Sequence, residues 1–446
     1  MYDYLVGYAR RNISPEDSVP LSGYGDGFKR FHVRQLDPLY ASAVAITDRK
    51  GVTTILVSTD LVWFINRFVE PVRTAVEKAT GVPGTNIMLA STHTHSGVEQ
   101  GSTLTPYMER YNEMYTQRVI EAAIAAFEDR KEAEMYGAIT ETDGLNFCRH
   151  YVHEDGTISG PGFGTSKTPK VGHKVGPDPE MRLVQFKRKD GKDIVMMNWQ
   201  AHATMMSYRR PETRLFCSAD FVGFTRMYME KELGCHFIYF QGAAGNMMPT
   251  SDIDAENKDS TFEGYAALLG GTAIAALEKA EKMPAGDVKV RCQNFEGKCR
   301  HKWDHKVEDA KKVIEYVKET GDLSGANKLA QQLGFSSRTH ASVVPSRAAL
   351  PQTLEVEASL VTIGDLAVAT SENEIFCEIG QRFRAGSPYP INFLLSSTNG
   401  QRGYLPDRRT FEYGSYETDI TYFEEGTGEE LADYYIENLK QMKEEA

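Results

Sequence analysis

Cysteine is scarce and unpatterned in this chain: Cys148, Cys217, Cys235, Cys292, Cys299 and Cys377 are scattered, with no C-x-x-C pair. That argues against a disulfide framework and for structural thiols in a reducing cytoplasm, with a Cys292–Cys299 bridge as the alternative in an oxidising compartment. Long hydrophobic runs are also missing. No segment approaches 18 consecutive apolar residues, which excludes a spanning helix. The first dozen residues lack a basic stretch followed by an apolar one, so a signal peptide is not expected and a cytoplasmic location is. Positive charge is in deficit, with 50 basic against 62 acidic residues and a net charge of −12. Without a dense Lys/Arg cluster among aromatics, nucleic acid is not expected as a partner.

What is present is the composition of a globular protein with a sizeable core: 41% hydrophobic and 25% charged residues. Its 446 residues allow one large domain or two or three ordinary ones. Residues 38–63 hold two apolar runs around Asp48-Arg-Lys-Gly51, which reads as a β-hairpin. Helical periodicity is expected over 68–80, 107–130, 221–233, 261–283, 373–384 and 428–443. Strands are expected over 181–187, 193–199, 235–241, 354–361, 365–370 and 391–397. Residues 304–335 read as a helical pair broken at Gly321. Residues 154–180, rich in Gly, Pro, Ser, Thr and Lys, show no period. A stretch of that length reads as a lid over a site, with a plain surface excursion as the alternative. No repeat or linker divides the chain, so a single α/β domain spanning 1–446 is expected, with a helical excursion at about 300–340.

The chemistry begins at Asn86-Ile-Met-Leu-Ala-Ser-Thr-His-Thr-His-Ser-Gly97, an apolar run ending in His93-x-His95. Side chains at i and i+2 of a strand share a face, so the two imidazoles would project together and suit a metal such as Zn²⁺. The alternative is a pair of surface histidines at a turn. His202, after the strand-like Val195–Trp199, is a third candidate nitrogen ligand or a hydrogen-bonded core histidine. Phe240-Gln-Gly-Ala-Ala-Gly-Asn246 is a strand running into a turn of small residues, where backbone N–H groups can approach a substrate oxygen. It lacks the Lys-Ser/Thr of a P-loop. His301-x-x-x-His305 has helical ligand spacing, but its charged neighbours suggest a solvated helix start. His150 and His153 either line a site entrance or decorate a loop. Asp220 reads as part of a helix cap, with a supporting role at the site as the alternative. The metal motif of the β-lactamase type is rejected, because Gly97 and Val98 stand where Asp and His are required.

Three segments in this order, Thr92-His-Thr-His-Ser-Gly97, Asn198-Trp-x-x-His202 and Phe240–Asn246, resemble the neutral/alkaline non-lysosomal ceramidase family. Leu21-Ser-Gly-Tyr-Gly25, Gly403-Tyr-Leu-Pro406 and Tyr416-Glu417 are similar to segments near the two ends of that catalytic domain. The likeness is to a short, bacterial-type branch without the C-terminal immunoglobulin-like domain. It implies mixed β-sheets flanked by helices, with the site at strand ends. It also implies one zinc held by His93, His202, Glu374 and Tyr404, with Glu372 close enough in sequence to be mistaken for Glu374. His95 would handle protons beside the metal, and Arg149 and Tyr416 would grip the polar end of the substrate. Gly242 and Ala243 would offer N–H groups to a substrate oxygen.

One departure stands out: the family places serine directly after the Gln of the small-residue turn, and here Gly242 follows Gln241. The function implied is a zinc-dependent hydrolase of a linear amide, an N-acyl compound, using metal-activated water. The alternatives are an esterase or lyase on the same site, or a zinc- or ligand-binding relative without turnover. The expected partner is a small-molecule amide or ester; the sequence is silent on oligomeric state.

Overall fold

The most apolar strands of this chain are buried on both faces, which is why they read as continuous runs. In Thr53–Thr59, Ile55 and Val57 pack toward a layer of helices, while Leu56 packs toward a second sheet. In Ile194–Trp199, Val195 and Met197 do the first, and Ile194 and Met196 the second. The two-residue strand period thus serves two different cores. The computed structural model describes residues 2–24, 30–208, 213–249 and 261–445, so Gly25 of the Leu21–Gly25 segment lies outside the described residues.

The larger sheet runs, neighbour to neighbour, through His236–Gln241, Ile194–Trp199, Glu180–Arg188, Lys131–Glu141, Tyr4–Asn12, Tyr40–Thr47, Thr53–Thr59 and Ile87–Ser91. Glu281–Lys282 adds a short ninth strand on Lys131–Glu141. Pairing is antiparallel except at the two ends, where Ile194–Trp199 runs parallel to His236–Gln241 and Thr53–Thr59 parallel to Ile87–Ser91. The five antiparallel steps between leave the two end pairs formally opposed. Sheet twist of about 20–25° per interface, summed over the seven interfaces, amounts to nearly a half turn. The two end regions of the sheet are in contact: Ser58 Oγ donates to Tyr239 O at 2.6 Å, and His95 N to Ala203 O at 3.0 Å. This is what gathers the C-terminal ends of three strands at one place.

A smaller sheet of Val288–Arg291, Leu360–Ile363, Leu366–Thr370 and Ile391–Leu395 stacks on the larger one. Val361, Ile363, Val368 and Phe393 enter the core between them. Helices Asn66–Thr80 and Tyr107–Glu128 cover one half of the larger sheet, and Asp220–Leu233 and Phe262–Leu277 the other. Helices Cys377–Gly386 and Thr427–Glu444 cover the smaller. The mixed-sheet α/β architecture flanked by helices is as expected, and so is the hairpin of Tyr40–Thr47 with Thr53–Thr59.

Several local expectations need correction. The helix expected over 261–283 ends at Leu277, and the chain then joins the larger sheet. The expected helix over 373–384 starts at Cys377, which leaves Glu374 on a two-residue strand, Glu374–Ile375. Residues 154–180 are not without structure. Ile158–Ser159 and Lys170–His173 form a small sheet with Tyr151–His153. The helical pair expected over 304–335 is present as Val307–Thr320 and Leu323–Gln332, and a third helix not expected, Arg338–Ala348, follows it. Gly321 caps the first in the left-handed region, as a break requires. The third contains Pro345 and two consecutive valines, which weakens its helical signal. All six cysteines are free, Cys292 and Cys299 included. Among the described residues no helix is long and apolar enough to cross a membrane.

Candidate metal centre

His93 does not sit on a strand. Ile87–Ser91 ends two residues earlier, and His93 adopts φ of 63°, a left-handed conformation uncommon for a residue with a side chain. The two imidazoles of His93-x-His95 converge through this bend and not through the strand pleat. Thr94 Oγ1 pins the loop by donating to Ser218 O at 2.8 Å. His202 follows Ile194–Trp199 and is fully buried. Glu374 and Tyr404 arrive together because their short strands pair in parallel with these two residues in register.

His93 Nδ1 donates to Val62 O at 2.7 Å, and His202 Nδ1 to Ala244 O at 2.7 Å. Carbonyls only accept, so each ring carries a proton on Nδ1 and turns its Nε2 inward, where the neutral imidazole offers a lone pair. Those lone pairs face Glu374 Oε2 at 3.2 Å and 3.3 Å. The oxygen is buried and makes no hydrogen bond. Burial works to raise the Glu374 carboxyl, but the neighbouring His93 and His202 outweigh it and hold it well below the usual range. Burial, and after it the Arg149 guanidinium, push the His202 imidazole down to about 4, so it is neutral at pH 7. His93 Nε2, His202 Nε2 and Glu374 Oε2 thus crowd together in one buried place.

This arrangement fits a cation. Metal–ligand bonds of about 2.0–2.1 Å at tetrahedral angles put ligand atoms about 3.3–3.4 Å apart. The His93–Glu374 and His202–Glu374 separations match that edge length. A third imidazole joins them: His95 Nε2 is 3.3 Å from His93 Nε2, and His93, His95 and His202 offer ligand atoms all within 4.8 Å of one another. Burial, then His93 and His202, hold His95 well below its ordinary value. Its Nδ1 is buried without a partner. The ring is wrapped by the Leu21–Tyr24 segment: a Cβ at Gly23 would meet His95 Cγ at 2.4 Å, and the Tyr24 ring lies edge-on at 5.0 Å. Only glycine fits there.

Arg149 Nη1 lies 3.4 Å from His202 Nε2, and its guanidinium sits 5.4 Å from the Tyr404 ring centre. Its Nε donates to Glu417 at 2.7 Å. Burial opposes the Arg149 charge, yet Glu417 and Tyr404 raise its pKa. Glu417 is fully buried and also meets His150 Nε2 at 3.1 Å. Burial would raise its carboxyl, but Arg149 and His150 hold it well below the usual range. The sequence pattern gave Glu417 no role; its position beside Tyr416 was the available signal. Tyr404 and Tyr416 stack edge-on at 5.9 Å, and burial, followed by Glu374, pushes the Tyr416 hydroxyl up to about 12 and Tyr404 well above its usual value.

The small-residue turn acts differently from expectation. Gly242 N donates to Trp199 O at 2.7 Å, so it is not free for a substrate oxygen. A Cβ at Gly242 would point at Gln200 Oε1, 2.9 Å away, and not at the histidines. Ala243 packs against Gly380 on the helix Cys377–Gly386. What the turn supplies is Ala244 O, which orients His202. The segment 154–180 reaches the site's flank, with Phe163 edge-on to His150 at 5.1 Å and Gly162 against the Tyr416 ring.

Other candidates fall away. His301 is taken by Asp304 at 2.8 Å and Pro351 O at 3.1 Å, and His305 lies over Trp303. His153 is tied to Thr168 O and Ser159 within its own loop. Asp220 receives the backbone N–H groups of Met205, Met206 and Phe221. Glu372 binds Asn66 and Arg402, and Glu374 is the carboxylate that faces the imidazoles.

No protein-family model matches the sequence, and no curated protein does. Solved structures match it in fold. A neutral ceramidase from Pseudomonas aeruginosa superposes with a TM-score of 0.75 over 100% of this chain and 75% of that one, at 17% identity. A ceramidase complexed with C2 gives a TM-score of 0.74 over 100% of this chain and 76% of that one, at 16% identity. The chain has the fold of these ceramidases from end to end.

Proposed function

We propose that this protein is a metal-dependent hydrolase of linear amides, related to the neutral ceramidases and acting on an N-acyl compound. One observation carries the reading: the buried Glu374 Oε2, without a hydrogen bond, lies 3.2 Å from His93 Nε2 and 3.3 Å from His202 Nε2. His93, His202 and Glu374 would hold the ion, with Tyr404 as the fourth ligand. Nitrogen and oxygen donors in this number suit Zn²⁺. When bound, such an ion polarises a carbonyl and makes water nucleophilic near neutral pH.

The chain's own residues supply the rest. His95 takes the proton of the attacking water and returns it to the leaving nitrogen, as the amide C–N bond breaks to give carboxylate and amine. Arg149 and Tyr416 flank the centre and donate to the oxygen that gains charge; one well-aimed donor contributes about 3–4 kcal/mol. Glu417 holds Arg149 in place. Because a side chain at position 242 would face Gln200, glycine there is no argument against turnover. An ester would be cleaved by the same groups. The test is a panel of N-acyl amides and esters, ceramide included, offered to chelator-stripped and zinc-reconstituted protein. Zinc-dependent release of free amine is the expected result; cleavage of esters alone, or of nothing, would overturn the amide assignment.

A further inference from the structure

The three excursion helices build a small core of their own around Ala310, Val313, Ala326 and Val344. Their contact with the five-residue helix Tyr416–Ile420 links them to the site. A helix this short cannot hold itself, because nucleation is not repaid by so few hydrogen bonds. Its first turn has a capping box between Ser415 and Thr418. Its last carbonyls are bound from the excursion side: Arg300 donates to Thr418 O and Arg347 to Asp419 O. Ser336 Oγ donates to the Asp419 carboxylate. At its other end the same helix packs Tyr416 on Tyr404 and aims Glu417 at Arg149 and His150.

Arg347 is 3% exposed, and its Nε and Nη1 have no partner. A buried cation so incompletely paired costs stability, and an apolar side chain of similar volume would fill the space at less expense. We infer that Arg347, with Ser336, is a positioning residue: it fixes the helix Tyr416–Ile420, and through Glu417 it sets the Arg149 guanidinium at the metal centre. The excursion serves the site without touching it. Only the consequence for turnover rests on the amide-hydrolase reading; the positioning is measured separately.

The experiment uses full-length protein labelled with ¹⁵N-arginine. The Arg149 Nε–H signal, assigned by its loss in Arg149→Lys, is protected by burial and by Glu417 at 2.7 Å. In Arg347→Met its hydrogen exchange is expected to accelerate roughly tenfold or more, beyond what any fall in melting temperature accounts for. Ser336→Ala should move it the same way by less, and Arg347→Lys should restore most of the protection. In the amide assay kcat falls while KM holds. Unchanged Arg149 exchange in both Arg347→Met and Ser336→Ala overturns the proposal, and Ser336→Ala decides alone where Arg347→Met does not fold. Since this signal needs neither metal nor substrate, altered exchange in a protein without amide turnover supports the positioning and sinks the hydrolase reading instead.

Discussion

Two of the buried polar clusters in this molecule are built differently. Beneath the helix Asp220–Leu233, Asp60 binds Arg226 at 2.7 Å and Tyr40 N at 2.8 Å, while Asp37 receives Ser218 Oγ and Ala219 N. Every one of those four carboxylate oxygens has a donor. At the strand ends, Glu374 Oε2 and His95 Nδ1 are just as deeply buried and have none. The first cluster pairs opposite charges and ties helix to sheet. The second gathers three imidazoles and a carboxylate whose ligand-type atoms converge on one place, an arrangement that could hold a metal ion. A buried carboxylate oxygen without a donor, beside three converging imidazoles, is an exception that asks for a partner.

The sharpest break of this comparison is Glu374→Gln. Metal affinity and amide turnover should fall to background, yet the chelator-treated variant should melt no lower than the chelator-treated parent, since crowding of acceptors is relieved. Calorimetry with and without chelator checks the pair of signs. His95→Ala is next: turnover should drop by about 10²–10⁴, the range for a lost acid–base group, with bound metal unchanged by elemental analysis. In the structural cluster the effect moves from activity to stability. Asp60→Ala leaves Arg226 buried without its carboxylate and should cost about 3–5 kcal/mol in urea unfolding, while folded protein still binds metal.

The smallest effect is the pH dependence of Asp37. Burial, only partly offset by the hydrogen bonds from Ser218 and Ala219, raises its carboxyl from 3.8 to about 7. The folded state therefore holds this proton more tightly than the unfolded chain. Its stabilisation is complete below 3.8 and is lost as pH rises through about 7. Asp37→Asn should flatten the decline in melting temperature between these limits; an identical slope in parent and variant would contradict the assignment.

Much of this was legible in sequence because it is local. The hairpin at Tyr40–Thr59, the helix Asn66–Thr80 and the C-terminal helix follow from periodicity and turn residues within short windows. His93 and His202 stand out in sequence by their place after apolar runs, and Glu374 through the family resemblance; the structure brings the three together. What escaped depends on pairings across the chain. Arg149 and Glu417 are 268 positions apart, and nothing near either names the other. The bend at His93 leaves no mark in its own segment, because Val62 and Ser218, which hold the loop there, are distant in sequence. The role of Gly242 was misread for a similar reason: direction at a turn is set by Trp199 and Gln200, which are distant in sequence.

The central claim is that His93, His202 and Glu374 hold a metal ion. Zinc titration of chelator-stripped protein, with elemental analysis of the washed product, tests it most directly. About one tightly held zinc per chain, lost in His202→Ala and Glu374→Gln but kept in His301→Ala, is the predicted result. No uptake by the parent, or uptake unaffected by His202→Ala and Glu374→Gln, would contradict the account.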